Sequence, residues 1–209
     1  MSTDWEAWHA DYADPGSALS HRLAAVQQHI DAWLDTTAPR AVTVLSSCAG
    51  DGRDLIGVLQ GRPDRARVRG TLVETDPRNT AAAREHISRL GLGLEVHETD
   101  AGSSDAYADA APADLVLLCG IFGNISDEDV ARTIAFAPQL CLPDALVLWT
   151  RHRRPPDLTP RIRAWFTEAG FVEVGFTAPG DALWSVGACR YAGPPTPLRT
   201  GQQVFTFVR

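Results

Sequence analysis

The feature that most constrains the fold is an alternation of short apolar runs with longer helical patterns, which begins near Ala41. The apolar runs predict seven β-strands, at residues 42–46, 69–74, 94–98, 113–119, 145–151, 171–177 and 203–208. Helical periodicity fills the gaps at residues 53–59, 79–90, 104–110, 127–135 and 159–169. Strands joined by crossover helices run parallel, so we expect an α/β fold with a doubly wound, mostly parallel, Rossmann-like sheet.

Two segments lie outside this alternation. Residues 1–36 predict an N-terminal helical extension, in which a turn at residues 14–17 opens an amphipathic helix. We expect this extension to be a lid on a single α/β domain that covers residues 37–209. Residues 179–200 are rich in proline and glycine and predict an irregular insertion between the last two strands.

The charge of the chain restricts its partners. The formal net charge is -7 and the isoelectric point is near 5.3, which argues against nucleic acid because binding to phosphates relies on a basic surface. All 19 basic residues are arginine, and the absence of lysine excludes Schiff-base and phosphate-loop lysine chemistry. The expected partner is therefore a small molecule.

No membrane span or export signal is indicated. The apolar runs are much shorter than the roughly 20 residues that a membrane helix needs, and the N-terminus lacks the basic-then-apolar order of a signal peptide. The cysteines lack any CxxC or Cys/His spacing, so neither a metal site nor a disulfide framework is expected. These features predict a cytoplasmic protein, and they leave its oligomeric state open.

The stretch VLSSCAGDGRDL, residues 44–55, leads from the first strand into a helix through small residues and two glycines. Glycines let a ligand approach the backbone, and the first amides of the helix face outward as donors. Glu74 ends the second strand, where an acid can accept hydrogen bonds from both ribose hydroxyls. Asp100 follows the third strand and is placed to accept a hydrogen bond from an adenine amino group.

These residues resemble the class I S-adenosylmethionine-dependent methyltransferases, most clearly over residues 41–151. In that family the first strand ends in acid-x-Gly-x-Gly-x-Gly, onto which Ser46, Cys48, Gly50 and Gly52 map. Ser46 replaces the usual acid and Cys48 the first glycine, while the last two glycines remain. The resemblance implies that the protein is a methyltransferase that uses S-adenosylmethionine and releases S-adenosylhomocysteine.

The resemblance also implies the cofactor contacts. It assigns Glu74 to the ribose, the pair Asp100 and Ala101 to adenine, and the segment from Cys119 through Gly120 to the methionyl group. Asp76 is a second candidate near the adenosyl group. The complete set of expected cofactor-binding residues is Ser46, Cys48, Ala49, Gly50, Gly52, Glu74, Asp76, Asp100, Ala101, Cys119 and Gly120.

The acceptor side is predicted from three regions. His152, after the fifth strand, is the best-placed general base, and Asn124 either orients a polar acceptor or caps the next helix. Substrate-binding walls are expected from the N-terminal aromatic segment, the loops after two strands and the late insertion; these residues are Trp5, Trp8, His9, Tyr12, Phe122, Arg151, Trp184 and Arg190. The N-terminal aromatics are equally compatible with ordinary packing. No Asn/Asp-Pro-Pro-aromatic sequence follows the fourth strand, which favours O- or N-methylation of a small molecule.

Two alternatives remain. A nicotinamide oxidoreductase has the same type of sheet, but its fingerprint needs a small residue where this chain has Leu55, and Asp51 and Asp54 would repel a pyrophosphate. The departures at Ser46 and Cys48 are also compatible with a non-catalytic or non-methylating protein that binds the same cofactor.

Overall fold

The computed structural model describes residues 14–180 and 182–208. Six of the seven strands and all the α-helices lie close to their predicted positions. The helices are α1 (Ala18–Thr37), α2 (Arg53–Gly61), α3 (Pro77–Leu90), α4 (Asp127–Phe136) and α5 (Thr159–Glu168). The strands are β1 (Val42–Ser47), β2 (Val68–Glu74), β3 (Gly93–Glu98), β4 (Ala113–Leu118), β5 (Cys141–His152), β6 (Phe171–Thr177) and β7 (Trp184–Tyr191). The predicted helix at residues 104–110 is a shorter 3-10 helix, Ser104–Tyr107.

The strands form one seven-stranded sheet in the order β3-β2-β1-β4-β5-β7-β6. The five strands from β1 to β5 are parallel, whereas β7 is antiparallel to both of its neighbours. This arrangement confirms the predicted α/β class and the mostly parallel sheet. The carboxyl ends of β1 to β5 meet at one edge, where ligands bind in open parallel sheets.

Each face of the sheet is covered by its own apolar core, because successive strand residues point to opposite faces. Val44 joins the α1-side core, which contains Ile30 of α1 and Leu59 of α2. Leu45 joins the α4-side core, which contains Ile134 of α4 and Phe166 of α5. Burial of one such aliphatic side chain contributes about 1.5–3 kcal/mol, so the two cores hold the strand ends in a fixed geometry.

The helix that the sequence predicts before the sheet begins where expected. Ser17 caps α1, and its hydroxyl oxygen accepts a hydrogen bond from the Ser20 amide at 3.0 Å. Val26, Ile30 and Leu34 are buried on one side of this helix, as their spacing predicts. Among the described residues, no helix combines the length and the apolar character that a membrane crossing requires.

The predicted last strand was wrong. Residues 203–208 form only isolated bridges, at Gln203 and Phe207, whereas β7 lies inside the segment that was predicted to be irregular. The proline and glycine content of residues 179–200 is concentrated outside β7, which is buried along almost its whole length. A strand buried on both faces carries no polar–apolar alternation. The average composition of residues 179–200 therefore does not indicate the strand within them.

Candidate functional site

A cavity of about 370 Å³ opens at the carboxyl edge of the parallel strands. The ends of β1 to β5 and one side of α1 line it, together with the C-terminal chain. The lining residues are Arg22, Leu23, Val26, Cys48, Ala49, Gly50, Asp51, Arg53, Asp54, Glu74, Thr75, Asp76, Pro77, Asn79, Asp100, Ala101, Cys119, Gly120, Thr150 and Phe207. Its size falls in the range of about 300–1,000 Å³ that is typical of small-molecule sites.

The turn after β1 has left-handed backbone at three alternate residues. The φ angles of Cys48, Gly50 and Gly52 are 54°, 59° and 74°. A Cβ added at Gly50 would meet no atom within 4 Å, so this part of the backbone is open to the cavity. At Gly52 the added atom would lie 2.7 Å from Ile56 Cδ1, so there the glycine is needed for packing. Cys48 keeps the left-handed conformation despite its side chain.

Glu74, at the tip of β2, is buried and joins two loops. Its Oε2 atom accepts a hydrogen bond from the Gly50 amide at 2.7 Å, and its Oε1 atom accepts from the amides of Thr75 and Asp76 at 3.0 and 2.8 Å. A carboxylate has about four lone-pair sites, so these donors leave capacity for a ligand hydroxyl. Glu74 therefore fixes the glycine turn and presents an acceptor to the cavity.

The two other acids that sequence analysis selected differ in their surroundings. Asp100 is exposed, lines the cavity beside Ala101, and accepts a hydrogen bond from the Gly102 amide at 2.8 Å. Asp76 caps α3, and its carboxylate lies 2.9 Å from the Arg78 guanidinium, which lowers the pKa of Asp76. Asp76 is thus already paired, whereas Asp100 keeps acceptor capacity toward the cavity.

The sequence analysis does not include one acid of the cavity among the expected cofactor-binding residues. Asp54, in the first turn of α2, is 9% exposed and lines the cavity, where its Oδ1 atom accepts a hydrogen bond from the Leu55 amide at 2.7 Å. Burial, with a contribution from the nearby Asp51 charge, raises the pKa of Asp54 to about 6. Asp54 and Arg22 both act electrostatically on Cys119, so these three residues mark one end of the cavity.

The cavity is acidic overall. Five carboxylates line it, those of Asp51, Asp54, Glu74, Asp76 and Asp100, against the two guanidinium groups of Arg22 and Arg53. Arg53 is 2.5 Å from Asp51, which uses part of this positive charge. A dinucleotide pyrophosphate would be repelled, whereas a cationic ligand would be attracted. The thiol of Cys48 stays protonated, because burial and the Glu74 carboxylate raise its pKa.

Two predicted cofactor residues do not line the cavity. Ser46 is 1% exposed inside β1, and Gly52 lies beneath the turn against Ile56 and Leu72. Gly52 is needed for close packing of the turn, and Ser46 belongs to the buried strand. The remaining nine expected cofactor residues, from Cys48 to Gly120, all line the cavity, and their roles toward a cofactor remain predictions.

The predicted acceptor residues are mostly elsewhere. Phe122 is fully buried in the α4-side core, and Arg151 is buried with its guanidinium donating to the Phe122 carbonyl. Trp184 is buried in the α1-side core. Arg190 lies near the opposite edge of the sheet, where it pairs with Asp144 at 2.7 Å, because β7 is antiparallel to β5. These four residues do not line the described cavity, and their contacts with a substrate stay predictions.

The two predicted catalytic residues also lie outside the lining. Asn124 donates to the Gly120 carbonyl at 2.7 Å and holds the loop after β4, while Ser126 caps α4, so the alternative of a cap at Asn124 was wrong. His152 ends β5 beside Gly123, and the β5 residue that reaches the cavity is Thr150. A general base at His152 has no geometric support. Trp5, Trp8, His9 and Tyr12 lie outside the described residues.

Comparison with known proteins supports the fold. No family model and no curated protein matches the chain. An O-methyltransferase family protein from Burkholderia thailandensis is 20% identical with a TM-score of 0.67; the match covers 96% of this chain, which spans 62% of that protein. Magnesium protoporphyrin IX methyltransferase from Synechocystis, solved with bound S-adenosylmethionine, is 14% identical with a TM-score of 0.68. That match covers 91% of this chain and 92% of the other.

A second Burkholderia thailandensis structure, 1,6-didemethyltoxoflavin-N1-methyltransferase with 1,6-didemethyltoxoflavin and S-adenosylhomocysteine, is 18% identical with a TM-score of 0.62. That match covers 90% of this chain and 87% of the other. At these identities the likeness is one of architecture, and the sheet order with its antiparallel β7 agrees with it. The chain therefore has the fold of the class I S-adenosylmethionine-dependent methyltransferases.

Proposed function

We propose that this protein is an S-adenosylmethionine-dependent methyltransferase that acts on a small-molecule acceptor. The observation that carries the proposal is the lining of the cavity: the open glycine turn, Glu74 and Asp100 follow three strands in succession and border one acidic space. A sulfonium ligand is cationic and fits that charge, and fold neighbours of this chain were solved with S-adenosylmethionine or S-adenosylhomocysteine.

The residues present fit the cofactor from end to end. Glu74 accepts from a ribose hydroxyl through the acceptor capacity that the three amides leave, and Asp100 with Ala101 borders the base. At the other end, Asp54 faces the ammonium group of the methionyl part, and Arg22 offers its guanidinium to the carboxylate. Ser46, which is buried, replaces the acid of the family motif and carries no charge. Asp54 supplies a negative charge in its place.

Positioning accounts for most of the catalysis that this chain can provide. When bound, the cofactor supplies an activated methyl group on its sulfonium. The Thr150 hydroxyl oxygen accepts a hydrogen bond from the Gly120 amide at 2.8 Å, which joins the ends of β4 and β5 next to the methionyl end of the cavity. Leu23 and Val26 of α1 add an apolar wall there. These residues exclude water and align an acceptor. Because the methyl group is already activated, this alignment contributes more to the rate than a general base would.

The acceptor is proposed to be small because the chain has a net charge of -7, which opposes binding to nucleic acid. A fold neighbour was solved with the small heterocycle 1,6-didemethyltoxoflavin, which is compatible with this class of acceptor. With the cofactor bound, the residues of the cavity would hold an acceptor oxygen or nitrogen beside the activated methyl group, and the chemistry supplied would be O- or N-methylation.

Calorimetric titration tests the proposal. S-Adenosylmethionine and S-adenosylhomocysteine should bind, and NADH should not, at protein concentrations of tens of micromolar. Heat from NADH alone would overturn the assignment in favour of a dehydrogenase. Incubation with a panel of hydroxyl and amine heterocycles, with detection of S-adenosylhomocysteine, then separates a methyltransferase from a protein that only binds the cofactor.

Asp54→Asn should have opposite effects on stability and on binding. The raised pKa of Asp54 means that its charged form is disfavoured in the folded state. Ionisation of Asp54 therefore lowers the free energy of unfolding: this loss is absent below about pH 4, grows between about pH 4 and 6, and is complete above about pH 6. The variant should therefore raise the free energy of unfolding at pH 8 by up to about 3 kcal/mol. Affinity for S-adenosylhomocysteine at that pH should fall about 10-fold, because a charge-assisted contact to the ammonium is lost.

The matched control is Asp109→Asn, which removes an exposed acid outside the cavity. Chemical denaturation and calorimetry at pH 5 and pH 8 give both quantities. If Asp54→Asn binds S-adenosylhomocysteine as well as the wild type does at pH 8, Asp54 does not face the ammonium group.

A further inference from the structure

The C-terminal segment, residues 201–208, crosses the edge of the sheet at which the cavity opens. It begins beside the 3-10 helix, where the Gly201 amide donates to Asp105 Oδ1 at 2.6 Å. It continues along the loop after β3, where the Val204 amide donates to the Gly102 carbonyl at 2.7 Å. It ends at the loop after β4, where the Val208 amide donates to the Asn124 carbonyl at 2.9 Å. The segment thus joins two loops that border the cavity.

Side-chain contacts also hold the segment in place. Val204 and Phe205 are 3% and 1% exposed within the α4-side core. The Thr206 amide donates to Asp129 Oδ2 at 2.9 Å, and the other oxygen of that carboxylate is 2.6 Å from Arg132. Gly102 leaves no room beneath the segment, because an added Cβ would overlap the Phe205 carbonyl oxygen. The segment is therefore a built part of the site.

Phe207 is the only aromatic residue among the described residues that line the cavity. Its backbone pairs with Ile125, and its ring is 5.6 Å from the Phe205 ring at an angle of 81°. The ring thus packs against the buried Phe205, and Phe207 as a residue is 36% exposed. An aromatic face fixed at a cavity wall is suited to a flat, apolar ligand group.

The position of Phe207 indicates which part of a ligand it meets. Ala101 and the Phe205 that supports Phe207 belong to the α4-side core, whereas Val26 and the neighbours of Cys119 belong to the α1-side core. The two charged residues Asp54 and Arg22 line the cavity on the side of α1. A ligand whose amino-acid group meets Asp54 and Arg22 would extend its flat base toward the part of the lining that contains Ala101 and Phe207.

We propose that Phe207 packs against the purine base of the bound cofactor, so that the C-terminal segment forms one wall of the adenine pocket. This inference rests on the proposed function, because it takes S-adenosylmethionine as the ligand. The wall would be contributed by chain that follows the last strand, from residues far in sequence from the glycine turn, Glu74 and Asp100. Contact between an aromatic side chain and a base is favourable for any purine, so Phe207 contributes affinity, while Asp100 contributes the choice of base.

The test compares two ligands that share the base. S-Adenosylhomocysteine and 5′-methylthioadenosine both carry adenine and ribose, but the second lacks the amino-acid group. Phe207→Ala should weaken both by the same factor, roughly 10-fold, because the lost contact is with the base. Phe207→Trp should retain wild-type affinity, and Phe207→Leu, which keeps apolar bulk without a ring, should lie between them. Val208→Ala is the matched control, since Val208 is 63% exposed and outside the lining.

The outcomes separate this inference from the proposed function. If the wild type binds neither ligand, both fail. If the wild type binds both and Phe207→Ala binds them equally well, only the adenine wall is refuted. A loss that affects S-adenosylhomocysteine but spares 5′-methylthioadenosine would place Phe207 at the amino-acid end and also refute it. Thermal unfolding of each variant shows whether the segment still folds. If Phe207→Ala does not fold, the affinities of Phe207→Trp and Phe207→Leu test the proposal instead.

Discussion

Glu74→Ala is expected to lower the affinity for S-adenosylhomocysteine by about 1–3 kcal/mol, which is roughly 5- to 150-fold. Two losses combine in this variant. The ribose loses a charged acceptor, and the amides of Gly50, Thr75 and Asp76 lose the carboxylate that now holds the two loops together. The second loss removes the geometry of the turn that borders the methionyl group, so the effect should extend to the whole cofactor.

Calorimetric titration at constant pH and salt gives the dissociation constants. Glu74→Gln should be intermediate, because one amide oxygen remains as acceptor without the charge. Glu95→Ala is the matched control, since its side chain is 81% exposed on β3 and does not line the cavity. Equal affinity of the Glu74→Ala and wild-type proteins, with unchanged circular dichroism, would show that Glu74 does not bind the ribose.

The part of the site that the sequence predicts is the part built from strand ends. The glycine turn, Glu74 and Asp100 each follow a recognisable apolar run, and parallel strands bring such ends together whatever the details of packing. On β5 the residue that lines the cavity is Thr150, two positions before the strand ends, so reasoning from strand ends points to the charged residues after it instead. The sequence indicates that Asp54 would repel a phosphate, and its position in the first turn of α2 also places it near the β1 turn.

The part that the sequence could not predict depends on partners far away in the chain. Nothing local distinguishes residues 203–208 from a seventh strand, because valine, phenylalanine and threonine are residues typical of strands. Their contacts are with the loops after β3 and β4, about 80 to 100 residues earlier. The position of Arg190 away from the cavity has a related cause, since the direction of β7 decides at which edge of the sheet each of its residues lies.

The antiparallel insertion of β7 predicts the largest effect on stability. Gly187 lies opposite Trp149 of β5, and an added Cβ would overlap three atoms of the indole, Nε1, Cε2 and Cζ2. Trp149 is fully buried and stacks at 5.9 Å on Phe166, so its ring has no space to move away. Gly187→Ala should therefore lower the free energy of unfolding by about 2–4 kcal/mol and the melting temperature by about 5–15 °C.

A double-mutant cycle identifies the cause of this loss. Trp149→Phe makes room beside Gly187, so in that background Gly187→Ala should cost less than it does in the wild type, with a coupling of at least about 1 kcal/mol. Gly61→Ala is the matched control, because an added Cβ at that exposed helical position meets nothing within 4 Å and should be neutral or slightly stabilising. Additive effects of the two core substitutions would mean that Gly187 is not required by the indole, and the close packing of β5 on β7 would then need another explanation. Chemical denaturation of the wild type, the two single variants and the double variant gives the four free energies of unfolding from which the coupling is calculated.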